Sequence, residues 1–303
     1  MEKEGKKMKL LMITPFKNEV DSIVKTMDSI VKQSVHPVKW LMIDDGSDDS
    51  SPNLVQEYQA RFPFIYYRKR KNANTSRTTG NNIVEIFNEG LELAKALEIE
   101  WDIVIKLDAD LVAERADYLE FISNKFKQYP LLGIASGATF VVREGLGKVL
   151  ECKNKWHTQG TNKFYRKECL KAIGGLKPFK GWDGIDDMLA RGNGYITEKF
   201  FEQELQHLYP TQTRAAEGGF KMGLFREAKG YTNIGYPLYV SFLRSVKMVK
   251  DRGFQSGFLF FNYIVQHAIT AKPLITIEEK KLVAKFMRQR WNNNFLYTKD
   301  LIQ

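Results

Sequence analysis

The chain opens with a short apolar run, Lys9 to Thr14 (KLLMIT), closed by Pro15. This pattern predicts a buried parallel strand entering a loop. From Asn18 to Gln33 the residues Val20, Ile23, Val24, Met27, Ile30 and Val31 recur at helical spacing, and beyond Pro37 a second apolar run covers Val38 to Ile43. A second cycle follows, helical over Ser51 to Phe62, extended over Phe64 to Arg68, helical over Ile83 to Leu97, and a buried strand over Trp101 to Leu107 that ends in Asp108. Such alternation predicts an α/β fold, a mostly parallel sheet flanked by helices. From Tyr236 the pattern turns helical and aromatic, over Tyr236 to Lys250, Phe254 to Ala271 and Ile277 to Trp291. It reads as a helical C-terminal appendage, dividing the chain into residues 1–225 and 226–303, with the boundary between Glu217 and Gly235.

In open sheets of this kind, ligands bind beyond the carboxyl ends of the strands. Three strand ends carry polar sets: Thr14 to Glu19, Asp44 to Asp49, and Asp108 to Asp110. Asp, Asn, Gly and Ser also dominate ordinary turns, but three such sets share one predicted edge. Residues two apart in extended chain point the same way, so the carboxylates of Asp108 and Asp110 can face one cation. Oxygen ligands with open positions suit Mg²⁺ or Mn²⁺ alongside phosphate oxygens. Asp44 and Asp45 can accept hydrogen bonds from a base or a ribose, while Asp48 or Ser50 caps the next helix. Phe16 can stack on a base and Glu19 can reach a ribose; a core phenylalanine and a helix-start carboxylate fit the same positions.

Composition narrows the partners. With 303 residues, 43% hydrophobic and 27% charged, the proportions are those of a globular protein. The net charge of +10 admits nucleic acid, an anionic membrane surface or a phosphorylated substrate. The basic cluster Arg68 to Lys71 has no interleaved aromatics, and no nucleic-acid-binding spacing occurs, so a nucleic-acid partner is not expected. Cys152 and Cys169 show no paired spacing, and Leu10 to Ile13 is too short for a signal peptide, which together predict a cytoplasmic protein. Gly257 to Thr270 is too short and too polar to span a bilayer. The aromatics of Phe254 to Tyr263 and the basic stretch Lys280 to Arg290 fit packing on the preceding sheet domain or peripheral contact at the inner face of a membrane.

The ordered set ITPFKNE, MIDDGSDDS, VIKLDAD and GWDGIDDML with a following His207 resembles glycosyltransferase family two, of the GT-A fold, over roughly Lys9 to Thr211. The resemblance implies a UDP- or dTDP-sugar donor, a divalent metal and an inverting transfer to a hydroxyl of a glycan or glycolipid acceptor. It implies that Thr14, Phe16, Glu19 and Asp44 or Asp45 contact the nucleotide, along with Asp108. Asp110 is then the main metal ligand, with His207 a further ligand. Asp187, or its neighbour Asp186, becomes the general base that takes the acceptor's proton. The same segment implies a sugar and acceptor pocket around Gly160-Thr161-Asn162, with Asn162, Trp182 and Asp183 as binding residues; Asp183 and Asp186 also suit a helix cap. Family analogy points to cell-surface polysaccharide or glycolipid synthesis.

Two departures qualify the resemblance. Asn72 to Asn82 is longer than the family's Asn-x-Gly-Lys segment, which leaves Arg77 without an assigned role. Arg290-Trp291 resembles part of a Gln-x-x-Arg-Trp motif of processive synthases, but Met287 stands where Gln is needed, so a non-processive enzyme is expected. A sugar nucleotidylyltransferase is the alternative, although Thr14 to Glu19 lacks the glycine-rich loop of that class; a non-catalytic nucleotide-sugar-binding relative is another.

Overall fold

The computed structural model describes residues 7–71, 81–179, 181–209, 219–270 and 274–292. Arg77 and the rest of 72–80 lie outside the described residues. Strands β1 (Leu10–Phe16), β2 (Lys39–Asp44), β3 (Ile65–Lys69) and β4 (Ile103–Leu107) alternate with helices α1 (Ile23–Val31), α2 (Ser51–Arg61) and α3 (Asn81–Ala96). These four strands are mutually parallel in the order β3-β2-β1-β4. Their interiors are apolar on both faces because helices cover both. Pairing of Phe16 with Asp44 and of Ile13 with Lys106 brings the three acidic strand ends to one edge.

Beyond β4 the sheet changes character. After β5 (Leu111–Ala113) and α4 (Tyr118–Gln128) come β6 (Leu132–Arg143), β7 (Gly147–Leu150), β8 (Asn162–Arg166), α5 (Lys167–Ala172), α6 (Trp182–Gly192) and β9 (Ile196–His207). Strand β8 inserts antiparallel to β4, and the sheet continues β8-β6-β9-β5 with β7 on β6. The sheet is therefore mixed, and its antiparallel members were not expected from the alternation of strands and helices.

The C-terminal helices are α7 (Gly219–Ile234), α8 (Leu238–Arg252), α9 (Phe254–Thr270) and α10 (Ile277–Asn292). The expected boundary after residue 225 falls within α7. Val283, Phe286 and Met287 of α10 join Ile185, Met188 and Leu189 of α6 in the main core, so this last helix is built into the body of the sheet domain. Leu224 and Ala228 of α7, Met248 of α8, and Phe260 and Ile264 of α9 form a separate small core. Helices α8 and α9 meet at Gly257, where a Cβ would stand 2.6 Å from the Ser245 carbonyl oxygen.

Candidate active site

The centre of the site is the end of β4. Lys106 and Asp108 are two apart and point the same way. The Lys106 ammonium, almost completely buried, pairs with Asp108 and donates to the Gly160 carbonyl at 2.6 Å. Antiparallel pairing of β5 with β9 sets Leu111 opposite His207. This carries the His207 ring to Asp110, with Nε2 3.3 Å from the carboxylate. On its other side Nδ1 lies 2.9 Å from Glu151, just after β7. Burial by itself would lower the His207 pKa, but the bonds to Asp110 and Glu151 override it and hold it up at about 10. The imidazole thus stands between two carboxylates.

Helix α6 forms a second side of the site. Gly181 enters it at φ 94°, a left-handed conformation suited to glycine. Its three acids do not share one environment. Asp187 is fully buried and accepts from the Thr158 amide at 2.9 Å, the Thr158 hydroxyl at 2.5 Å and His157 Nδ1 at 2.9 Å. Burial pushes its pKa up, but Lys163, His157 and Thr158 outweigh this and hold it below the usual carboxylate range. Asp186 accepts from Lys163 Nζ at 2.7 Å and from the Tyr165 hydroxyl at 2.6 Å. Asp183, half-buried, is the acid of this segment that lines the cleft.

That cleft, of about 600 Å³, is lined by Lys106, Asp108, Glu151, His157, Trp182, Asp183 and His207, and by Arg226, Glu227 and Tyr231 of α7. The Trp182 ring lies 5.5 Å beneath the Lys106 ammonium. In this structure Asp187, expected as the base, is sealed under Thr158 and His157, while Asp183 is open to the cleft. Asn162, expected to bind substrate, is also fully buried. Its side-chain oxygen accepts from the Tyr118 hydroxyl at 3.0 Å and the Gly137 amide at 2.8 Å, which makes it a tie within the sheet.

The expected nucleotide residues cluster at the adjoining ends of β1 and β2, where several are engaged by the fold itself. Thr14 is buried and accepts from Trp40 Nε1 at 2.9 Å. Asp44 is buried, accepting from the Ser47 amide at 2.7 Å and the Tyr67 hydroxyl at 3.0 Å. Burial and that Asp44 bond raise the Tyr67 pKa to about 12. Asp45 is ion-paired with Arg70 at 2.5 Å. Phe16 is buried against Tyr67, with ring centroids 6.4 Å apart. Glu19, half-buried, accepts from the Ser22 hydroxyl at 3.0 Å.

Sequence reasoning missed Lys106, Glu151, His157, Lys163 and the residues from α7. Lys106 was findable as the one charged residue inside the apolar run IVIKL. Glu151 left no local signal.

Among the described residues no group of three or more His, Cys, Asp and Glu side chains is gathered to hold a metal ion. The pair Asp110 and His207 nevertheless fits two corners of a hydrated Mn²⁺ or Mg²⁺. Their 3.3 Å separation is close to the edge of an octahedron with bonds of about 2.1 Å. Glu151 stands where a carboxylate orients a metal-binding imidazole through its other nitrogen. Asp108, tied to Lys106, is less available as a direct ligand.

Comparison with known proteins agrees with this architecture. Among curated sequences, the poly-beta-1,6-N-acetyl-D-glucosamine synthases of two Staphylococcus aureus strains, MSSA476 and MW2, are each 25% identical over 120 residues, 40% of this chain. The matched stretch spans about a quarter (26%) of those longer proteins. Among solved structures, GalNAc-T7 with UDP, GalNAc and Mn²⁺ superposes with a TM-score of 0.62 at 12% identity, covering 96% of this chain and 58% of that one. S. aureus TarS 1-349 in complex with UDP-GlcNAc gives 0.54 at 14% identity, covering 98% and 95%. The mannosyltransferase PcManGT of Pyrobaculum calidifontis, with GDP-Man and Mn²⁺, gives 0.53 at 14% identity, covering 94% and 81%. At these identities the structural likeness speaks for a shared GT-A fold. The model of the family described as "Glycosyl transferase family 2" matches residues 12–174, more than half of the chain, so this protein belongs to glycosyl transferase family 2.

Proposed function

We propose that the protein transfers a sugar from a nucleoside-diphosphate sugar to a hydroxyl of a glycan or glycolipid acceptor, with inversion at the anomeric carbon. The observation that carries this reading is the convergence of Asp108, His207, Trp182 and Asp183 on one cleft. In this proposal Asp110 and His207 hold a divalent metal, and Glu151 fixes the His207 ring. Such a metal, when bound, neutralises charge developing on the departing diphosphate. Lys106 holds Asp108 in place and adds positive charge beside the same leaving group. Asp183 replaces Asp187 as the proposed general base, because it is the acid of α6 that an acceptor can reach. Removing the proton as the oxygen attacks is worth about 10²–10⁴-fold in rate. Trp182 offers an apolar face to a sugar ring, and Tyr231 supplies a second aromatic wall. Asp186 and Asp187, locked by Lys163 and Thr158, brace the helix that carries Asp183.

The nucleotide is proposed to lie across the ends of β1 and β2, near Phe16, Glu19 and the Asp45–Arg70 pair, with a uridine or thymidine donor. The relatives that carry UDP or UDP-GlcNAc favour a uridine donor, and the similarity to a poly-N-acetylglucosamine synthase favours a role in cell-surface polysaccharide synthesis.

The test is an assay of nucleoside diphosphate release with Mn²⁺ across UDP-, dTDP- and GDP-sugars, followed by the anomeric configuration of the product. Release of diphosphate with an inverted product supports the reading. Release of pyrophosphate from a nucleoside triphosphate and a sugar phosphate would instead mark a nucleotidylyltransferase. Donor binding without turnover over a broad acceptor panel would mark a non-catalytic relative.

A further inference from the structure

Helices α8 and α9 turn an unusually apolar side to solvent. On α8 the exposed residues Leu238, Tyr239, Phe242, Val246 and Val249 recur at spacings of three and four, so they form one stripe. Phe254, Phe258, Val265 and Ile269 form a matching stripe on α9. The two are joined edge to face by Phe242 and Phe261, 5.9 Å between ring centroids. Exposure reaches 75% at Phe254 and 61% at Phe258, which are far from the half-covered positions of a normal surface helix. The inward faces of both helices are already engaged by α7 through Met248, Phe260 and Ile264. The outward stripes are therefore not a spare core face of the same bundle.

Charge indicates what covers this face. Lys247 and Lys250 follow Val246 and Val249 by one residue and so stand about 100° round the helix, along the border of the stripe. Arg252 follows at the end of α8, and all three are exposed. Asp251 is the single acid in α8 and α9 together. A second copy of the same face would bring only Asp251 against Lys247, Lys250 and Arg252. An anionic bilayer supplies it, and phenylalanines with flanking lysines suit the boundary between headgroups and acyl chains. No described helix is long and apolar enough to cross a membrane, so contact would be in the plane of the surface.

We propose that the paired outer face of α8 and α9 docks on an anionic phospholipid surface, with Phe242, Phe254 and Phe258 inserted and Lys247 and Lys250 at the headgroups. The same bundle presents α7 to the catalytic cleft, where Arg226, Glu227 and Tyr231 line it. Docking thus brings the cleft close to a bilayer.

The experiment is co-sedimentation of the full chain with vesicles of phosphatidylcholine alone or with about one third phosphatidylglycerol, at low salt and at about 0.5 M salt. The protein is expected to sediment with the anionic vesicles at low salt, to stay in solution with phosphatidylcholine alone, and to be released by salt. K247Q/K250Q is expected to weaken binding at least tenfold, from about fivefold per lysine at a charged surface. F254S/F258S is expected to weaken it at least tenfold as well, through lost apolar insertion. Both double variants should keep wild-type thermal unfolding, which separates lost docking from lost fold. Failure of the wild type to sediment with anionic vesicles at low salt overturns the proposal, as does sedimentation of both double variants like wild type. A wild-type dimer in light scattering that F254S/F258S converts to monomer also overturns it, assigning the face to a second copy.

Discussion

Glu151 holds the ring of His207 through Nδ1 at 2.9 Å, across 56 positions of sequence. The bond leaves Nε2 directed at Asp110, the arrangement in which an outer carboxylate sets the tautomer and tilt of a metal-binding imidazole. Replacing Glu151 with Gln keeps the shape but removes the charge. The expected result is a Mn²⁺ requirement raised about 10- to 100-fold, with turnover at saturating metal close to wild type. Metal titration of the donor-cleavage rate checks this, and an unchanged requirement would remove Glu151 from the metal site.

Asp183 and Asp187 separate by kind of defect. D183N is expected to lose about 10²-fold or more in kcat with donor binding and melting temperature nearly unchanged. D187A strands Lys163, Thr158 and His157 around an empty position. Breaking one side of such a buried pair costs about 3–5 kcal/mol, so its main signature is instability in denaturant unfolding. If D183N turns over normally while a folded D187N does not, the proton goes to Asp187 after all.

Asp117 adds a surface contribution to acid sensitivity, beside that of the buried Asp187. The Arg115 guanidinium, bonded at 2.8 and 2.9 Å, lowers the Asp117 pKa to about 2. A carboxylate with a depressed folded-state pKa contributes stability that is complete above its unfolded pKa of about 3.9 and is lost as pH falls through the folded value. Asp117 is two-fifths exposed, so solvent screens the pair and the effect is small. D117N should flatten the dependence of melting temperature on pH between about 4 and 2. An unchanged slope would show that other carboxylates dominate.

Gly257 is required by the closeness of α8 and α9. A Cβ there meets the Ser245 carbonyl at 2.6 Å, a backbone atom with little room to yield. G257A is expected to destabilise the chain by about 1–3 kcal/mol, the usual cost of overpacking. Chemical denaturation checks the size, and hydrogen exchange should place the loosened amides in α7 to α9.

The parts of the site that could be read from the chain are those where one strand carries both the pattern and the chemistry. The apolar runs before Asp44 and Asp108 identify strands, and parallel packing then forces their ends together. The resemblance carried His207 and the acids of α6, but not which acid is open. Asp183 and Asp187 are four residues apart, so they share a helix face. The difference is depth along the helix axis, where the second turn passes beneath Thr158 and His157. Glu151 was invisible because its meeting with His207 depends on β7 folding back on β6 while β9 pairs with β5. Helix α7 was missed because Gly223 and Gly230 interrupt its pattern, and it took packing on α8 and α9 to hold it in place.

Glu227 faces the cleft on one side of α7 and receives Arg244, at 2.7 Å, and Arg252, at 3.4 Å, from α8 on the other. The α7 wall of the cleft is thus suspended from the α8–α9 hairpin, which itself contributes no residue to the cleft lining. The width of the cleft on this side is therefore set by the packing of the hairpin. Exchanging the hairpin for one of different girth would reshape the α7 side of the cleft and shift Glu227, while leaving Asp108, Glu151 and Asp183, which the sheet and α6 carry, where they stand.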